Sequence, residues 1–181
     1  MEKIRRYPTA LTIAGSDSGV CAGIQADLKT FSSPGVFGAS VITAITAQNT
    51  AEVRAVQVLS PEIIKKQLEA VLDDMTVDVV KTGMLPSIEI IELVASIIDI
   101  YNLPTIIVDP VMAATSGARL ASTSIVSAFS NYLYPRITLI TPNLPEAEAR
   151  SGTDIHSEKD IYTAAEILLS QGLSLIHISE P

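Results

Sequence analysis

The chain has 181 residues, of which 48% are hydrophobic and 18% charged, and its net charge is −8. This composition excludes a disordered chain and indicates one globular domain with a substantial core. The acidic balance argues against nucleic acid or an anionic membrane as the main partner. The single cysteine excludes an internal disulfide and fits a reducing compartment, so we expect a cytoplasmic protein.

The first predicted elements are a strand, a glycine-rich turn and a helix. Residues 10–14 form a short apolar run that predicts a buried strand. Three glycines follow within nine residues, and from Ile24 onward apolar side chains recur at helical spacing. Such a turn can direct backbone N–H groups at a ligand. It matches neither the dinucleotide-binding nor the Walker pattern, so by itself it is weakly specific.

Strand and helix patterns alternate along the rest of the chain. Strands are predicted at 37–47, 53–59, 78–82, 105–108 and 138–141. Helices are predicted at 61–75, 88–101, 123–134, from about 143 onward, and at 158–171, and Ser60, Ser87 and Ser157 stand where N-caps are expected. A loop of small residues is predicted at 113–117. This alternation predicts an α/β fold whose mainly parallel sheet has helices on both faces.

Ligands of such sheets bind beyond the carboxyl ends of the strands, so the polar residues there are candidates for a site. They are Gly15, Ser16, Asp17, Gln48, Asn49, Lys81, Gly83, Met84, Asp109, Asn143 and Glu146.

Six stretches in one order, between about residue 8 and about residue 172, resemble the hydroxymethylpyrimidine/phosphomethylpyrimidine kinases of thiamine biosynthesis, in the ribokinase-like superfamily. They are LTIAGSDS (11–18), AGIQADLKTF (22–31), SVITAITAQNT (40–50), KTGML (81–85), VDPVM (108–112) with TSG (115–117), and LITPNLPEAE (139–148). Each stretch alone is modest, but the series is specific.

The resemblance implies an ATP-dependent kinase of ribokinase-like fold that uses Mg²⁺ and phosphorylates 4-amino-5-hydroxymethyl-2-methylpyrimidine and then its monophosphate. The substrate-binding residues it implies are Gly15, Asp27, Gln48, Met84 and Val111, and the metal and phosphate region it implies is Asp109, Asn143 and Glu146. Carboxylates that hold Mg²⁺ suit phosphoryl transfer. The partners implied are the pyrimidine and ATP, with no nucleic acid or membrane, and a homodimer when the protein is full length.

Several of these residues have a structural alternative. Asp27 could be a solvated helix residue, and Gln48 could simply end a strand. Asn143 and Glu146 occupy the first and fourth positions of a helix capping box. Asp109 could be a turn residue, and Met84 could belong to the core. We assign no role to Cys21, His156 or His177.

Two other functions remain open at this point. One is a pyridoxal kinase-like enzyme from a neighbouring branch of the superfamily. The other is a non-catalytic module that binds a pyrimidine. Comparing how well a full-length version phosphorylates the hydroxymethylpyrimidine and pyridoxal distinguishes the pyridoxal kinase-like enzyme. Calorimetry with the pyrimidine tests the binding module.

The sequence departs from the family's pattern in two places. Val20 and Cys21 stand where the family usually has glycines. The family's Gly-Thr-Gly-Cys turn, which holds the transferring phosphate, has no counterpart here, so we assign no catalytic residue and expect the 181-residue chain to be inactive alone. We therefore interpret 1–172 as one C-terminally truncated ribokinase-like domain. Residues 173–181 read as one frame of a transposon adapter used in DNA library preparation, which predicts a non-native tail; a divergent native terminus is the alternative.

Overall fold

The described residues form one sheet of six strands. A computed structural model describes residues 6–111 and 123–179, and the predicted loop at 113–117 lies outside them. The strands are β1 (Thr9–Asp17), β2 (Phe37–Gln48), β3 (Val53–Val58), β4 (Val79–Thr82), β5 (Ile106–Val108) and β6 (Leu139–Ile140). Their order is β3-β2-β1-β4-β5-β6, and only β2 and β3 pair antiparallel. The predicted mainly parallel α/β fold is confirmed.

The described residues contain six α-helices, of which four lie between strands and two follow β6. They are α1 (Gly23–Ser32), α2 (Pro61–Leu72), α3 (Ile88–Tyr101), α4 (Thr123–Ala128), α5 (Leu144–Ser151) and α6 (Glu158–Ser170). The predicted N-caps are confirmed, because Ser60, Ser87 and Ser157 each accept a backbone N–H three residues further on. The helix predicted at 123–134 is shorter, since a π-helical turn at Phe129–Leu133 and a 3-10 turn at Tyr134–Arg136 follow α4.

Helices cover both faces of the sheet, as successive side chains of β1 show. Leu11 and Ile13 are fully buried in a core cluster that includes residues of α2 and α3. Thr12 lies between them and points to the opposite face, where its hydroxyl donates to Asp27 of α1. No helix among the described residues is long and apolar enough to cross a bilayer.

The strand order changes direction between β1 and β4, and this switch point positions the site. From β1 it continues to β2 and β3 on one side, then returns to β4, β5 and β6 on the other. The connections that leave the carboxyl ends of β1 and β4 therefore run to opposite sides of the sheet, and doubly wound sheets bind their ligands in the crevice at such a point.

Two segments extend the sheet beyond the sequence prediction. β1 continues past Ala14 through a register shift, so that Ser16 and Asp17 still pair with β2. This extension depends on long-range pairing, which the local pattern of residues 10–14 does not contain. Beyond β6, Ile176 and Ser179 form parallel bridges to Ile140 and Asn143.

Candidate functional site

A cleft of about 550 Å³ opens at the carboxyl ends of β1, β4 and β5. Its lining includes all eight residues predicted from the sequence as site residues: Gly15, Asp27, Gln48, Met84, Val111, Asp109, Asn143 and Glu146. These residues come from six separate parts of the chain, and the fold places them at one crevice. Their roles toward a ligand stay predictions.

The glycine-rich turn between β1 and α1 is stabilised by hydrogen bonds from its own backbone to the carboxylate of Asp17. Asp17 is 3% exposed, and its side chain accepts the backbone N–H groups of Gly19 at 2.7 Å, Cys21 at 3.1 Å and Ala22 at 2.9 Å. Because these donors are engaged inside the turn, they do not form a cradle for a phosphate in the cleft. The turn instead fixes the start of α1.

Helix α1 begins in close contact with the end of β1. Gly23 has φ +60°, and a Cβ there would lie 2.2 Å from the carbonyl oxygen of Gly15, so only glycine fits. The Gln25 amide reinforces the junction, accepting the N–H of Asp17 and donating to the hydroxyl of Ser16. This docking directs Asp27, one turn further along α1, into the cleft.

Gln48 stands at one end of the cleft, and its backbone is fixed by Ser18. The Ser18 hydroxyl donates to the Gln48 carbonyl at 2.7 Å and accepts the Gln48 N–H at 2.8 Å. The hydroxyl of Thr46 lies 3.3 Å from the side-chain carbonyl oxygen of Gln48. Ser18 thus fixes the Gln48 backbone from another segment, whereas the side-chain amide contacts a residue of its own strand. The role of Gln48 toward a ligand, and the alternative that it simply ends a strand, both stay predictions.

Met84 and Gly15 form an apolar wall beside Gln48. Met84 is 9% exposed, and its carbonyl accepts the hydroxyl of Thr43 at 2.7 Å. A Cβ at Gly15 would lie 2.9 Å from the Met84 methyl carbon, so the space left by the missing side chain is filled by Met84. Met84 is therefore a core residue that also lines the cleft.

An ion cluster occupies the floor of the cleft. The Lys81 ammonium lies 3.1 Å from Asp27 and 3.2 Å from Asp109. The buried hydroxyl of Thr12 donates to Asp27 at 2.6 Å. The alternative that Asp27 is a solvated helix residue is wrong, because its side chain is only 16% exposed and pairs with groups of β1 and β4.

Asn143 and Glu146 form the capping box of α5 and also line the cleft. The Asn143 side chain accepts the Glu146 N–H at 2.9 Å, and the Glu146 carboxylate accepts the Asn143 N–H at 3.0 Å. The structural alternative for this pair is therefore confirmed. Within residues 6–111 and 123–179, no three His, Cys, Asp or Glu side chains are grouped to hold a metal by themselves.

Several residues that organise the site had no role assigned from the sequence. Lys81 was a strand-end candidate without a role, and Thr12 and Ser18 had none. A lysine within an apolar strand is the one signal that indicated a paired charge at this place. Cys21 and His156 are exposed, as is His177, and none of them lines the cleft.

A family model, a curated relative and a solved structure identify the same family. Residues 17–179 match the family model described as phosphomethylpyrimidine kinase. The hydroxymethylpyrimidine/phosphomethylpyrimidine kinase of Bacillus subtilis is 52% identical over 163 residues, which cover 90% of this chain. The crystal structure of phosphomethylpyrimidine kinase from Clostridium difficile 630 is 47% identical, with a TM-score of 0.87 over 94% of this chain and 74% of that one.

Pyridoxal kinases are also similar to this chain in structure. The curated relatives named in this paragraph and the one above are longer than this chain. The structure of the pyridoxal kinase from Staphylococcus aureus in complex with pyridoxal is 35% identical, with a TM-score of 0.88 over 96% of this chain and 63% of that one. The chain spans 60% of the length of the B. subtilis kinase. It spans 33% of the length of a chloroplastic bifunctional thiamine biosynthetic enzyme of Arabidopsis thaliana.

Proposed function

The chain belongs to the phosphomethylpyrimidine kinase family, and from that premise we propose that the protein transfers a phosphoryl group from ATP to a hydroxymethylpyrimidine. The substrate would be 4-amino-5-hydroxymethyl-2-methylpyrimidine and then its monophosphate, in thiamine biosynthesis. The observation that supports this most is the layout of the cleft. Gln48 and Asp27 lie on its β1–β2 side, whereas Asp109 and Glu146 lie on its β5–β6 side.

The β1–β2 side suits an aminopyrimidine. Such a ring presents an amino donor beside a ring-nitrogen acceptor, and the Gln48 amide offers the complementary acceptor and donor. Asp27 adds a carboxylate that can accept from the ring, while Met84 and Val111 supply apolar walls for its faces. We therefore assign Gly15, Asp27, Gln48, Met84 and Val111 to the pyrimidine.

The β5–β6 side suits a nucleotide with its magnesium ion. Mg²⁺ at phosphate sites uses one or two protein carboxylates together with phosphate oxygens and water, so it needs no group of three acidic side chains. Asp109 and Glu146 offer those carboxylates, with Asn143 beside them. The ion would neutralise charge on the phosphates during transfer. Similar structures of the Staphylococcus aureus pyridoxal kinase are complexes with ADP and with AMP-PCP, which supports ATP as the donor.

Calorimetric titration of the 181-residue chain tests the pyrimidine site. We expect the wild-type chain to bind the hydroxymethylpyrimidine more tightly than pyridoxal. Gln48→Ala should weaken binding about tenfold or more, because two hydrogen bonds are lost at about 1 kcal/mol each. The matched control is Gln57→Ala, an exposed glutamine on β3, which should bind like the wild type. A wild-type chain that does not bind the pyrimidine would overturn the proposal.

We also propose that the full-length protein is a cytoplasmic homodimer that takes small molecules and not nucleic acid or membranes. The net charge of −8 supports small-molecule partners. Exposed apolar side chains on β2 and β3, namely Ile45, Val56 and Val58, support an interface between copies at this end of the sheet. Light scattering during gel filtration tests the dimer, and a monomeric mass for the full-length protein would contradict it.

A further inference from the structure

Lys81 occupies the centre of the cleft, between its two sides. It is the third residue of β4, which lies between β1 and β5. Its ammonium is 3.1 Å and 3.2 Å from the two oxygens of Asp27, and 3.2 Å from Oδ2 of Asp109. The lysine therefore connects a carboxylate assigned to the pyrimidine with one assigned to the phosphates.

The charge of Lys81 is needed because the cleft is acidic. Four carboxylates line it, those of Asp17, Asp27, Asp109 and Glu146, and Lys81 is the one lysine or arginine in the described part of that lining. Asp17 and Glu146 accept backbone N–H groups from their own loops. Asp27 and Asp109 have Lys81 as their shared cation, with side chains 16% and 35% exposed. Without it, two poorly solvated like charges would repel each other.

The backbone next to Lys81 leaves room for its ammonium. A Cβ on Gly83 would lie 3.2 Å from the Lys81 nitrogen and 3.0 Å from the Cβ of Ala14. A side chain at position 83 would therefore crowd the ammonium in its present position. The glycine and the two carboxylates together determine where the charge sits.

We propose that Lys81 is a positioning residue that holds Asp27 in its ligand-binding orientation by neutralising Asp109 at the same time. Thr12 fixes one oxygen of Asp27, and Lys81 fixes the carboxylate as a whole. When Lys81 is lost, Asp109 repels Asp27 and displaces it from the pyrimidine side. The ligand part of this inference rests on the proposed function, whereas the coupling of Lys81 with Asp109 does not.

A double-mutant cycle without ligand tests the coupling. We expect Lys81→Met to lower the melting temperature of the 181-residue chain by about 3 °C or more. Asp109→Asn in the same chain should recover at least half of that loss, because it removes the carboxylate left without a cation. Lys66→Met is the control, since Lys66 pairs with Glu62 on the exposed face of α2. Additive effects of the two substitutions would overturn the proposal.

Calorimetry with the hydroxymethylpyrimidine, well below the melting temperature of each variant, separates positioning from stability. Lys81→Met should weaken binding about tenfold, and Lys81→Met with Asp109→Asn should bind within about threefold of the wild type. Unchanged affinity of Lys81→Met would overturn the proposal. If the wild type does not bind, the proposed function fails for this chain, and the unfolding cycle alone decides whether Lys81 couples to Asp109.

Discussion

Val20 is a β-branched residue in the left-handed backbone region, with φ +63°. That conformation costs a non-glycine residue about 1–2 kcal/mol. It is imposed by the turn, because the Val20 N–H donates to the Asp17 carbonyl while the Asp17 carboxylate binds the N–H groups on either side of Val20. The Val20 side chain is 38% exposed, so its burial offsets little of the cost.

Val20→Gly should therefore stabilise the protein. Relief of the strained φ exceeds the added backbone entropy of glycine in the unfolded chain, and we expect the free energy of unfolding to rise by about 0.5–1 kcal/mol. Urea denaturation measures it. The control is Val58→Gly, also at an exposed valine, which should destabilise because Val58 is an extended strand residue. A lower stability of Val20→Gly would contradict the strain argument.

At the scale of elements, Asp78 fastens the loop before β4 to the start of β1. Its carboxylate accepts the Thr9 N–H at 2.8 Å and pairs with the Arg6 guanidinium. The hydrogen bond from Thr9, with a further contribution from Arg6, lowers the pKa of Asp78 below its ordinary value of 3.8. Two elements distant in sequence are thus joined by one ionised side chain.

This contact predicts a loss of stability in acid. Because the folded pKa of Asp78 is depressed, its contribution is present above about pH 4 and is lost as the pH falls through the folded value. Asp78→Asn should lower the melting temperature at neutral pH and make its decline toward about pH 3 shallower. Some decline will remain, since the pKa values of Asp99 and Asp160 are also lowered. Asp74→Asn, in the same loop, is the control, and an equal effect of the two variants would refute the assignment.

Elements with local signals were predictable, and those set by distant partners were not. Ser60, Ser87 and Ser157 were identified as N-caps because the capping signature lies within four residues. The extension of β1 to Asp17 depends on pairing with Ile45 and Thr46 of β2. No pattern in residues 10–17 contains that information.

At the scale of the whole molecule, the same contrast applies to the site. Polar residues after apolar strands, combined with a parallel sheet, predicted many of the residues that meet at one cleft, although Asn49 does not line it and Asp27 of α1 was not found in this way. The pairing of Asp27, Lys81 and Asp109 was not predictable, because these residues are 54 and 28 positions apart and meet only through the strand order. The family resemblance supplied Asp27, and the structure supplied the reason for its orientation.

The stability of the whole sheet also depends on the segment after α6. Leu173 is 6% exposed and belongs to the core cluster, and the partly buried Ile176 packs against that cluster. Backbone hydrogen bonds join this segment to β6: Ile140 N–H donates to Leu175, His177 N–H to Ile140, and Ser179 N–H to Pro142. Strand pairing uses backbone groups, so a segment with alternating apolar residues can be held here whatever its origin.

Deletion of residues 173–181 should therefore weaken the fold and expose β6 as an unpaired edge. Loss of the buried Leu173 alone costs about 2–3 kcal/mol, and the freed edge favours association of chains. We expect a melting temperature lower by about 5 °C or more and a larger aggregated fraction in gel filtration. Leu173→Ala should reproduce most of the thermal loss, whereas Leu175→Ala, at a 56% exposed position, should not. If the chain without residues 173–181 melts like the wild type, this segment contributes nothing to the stability of the sheet, and the prediction is wrong.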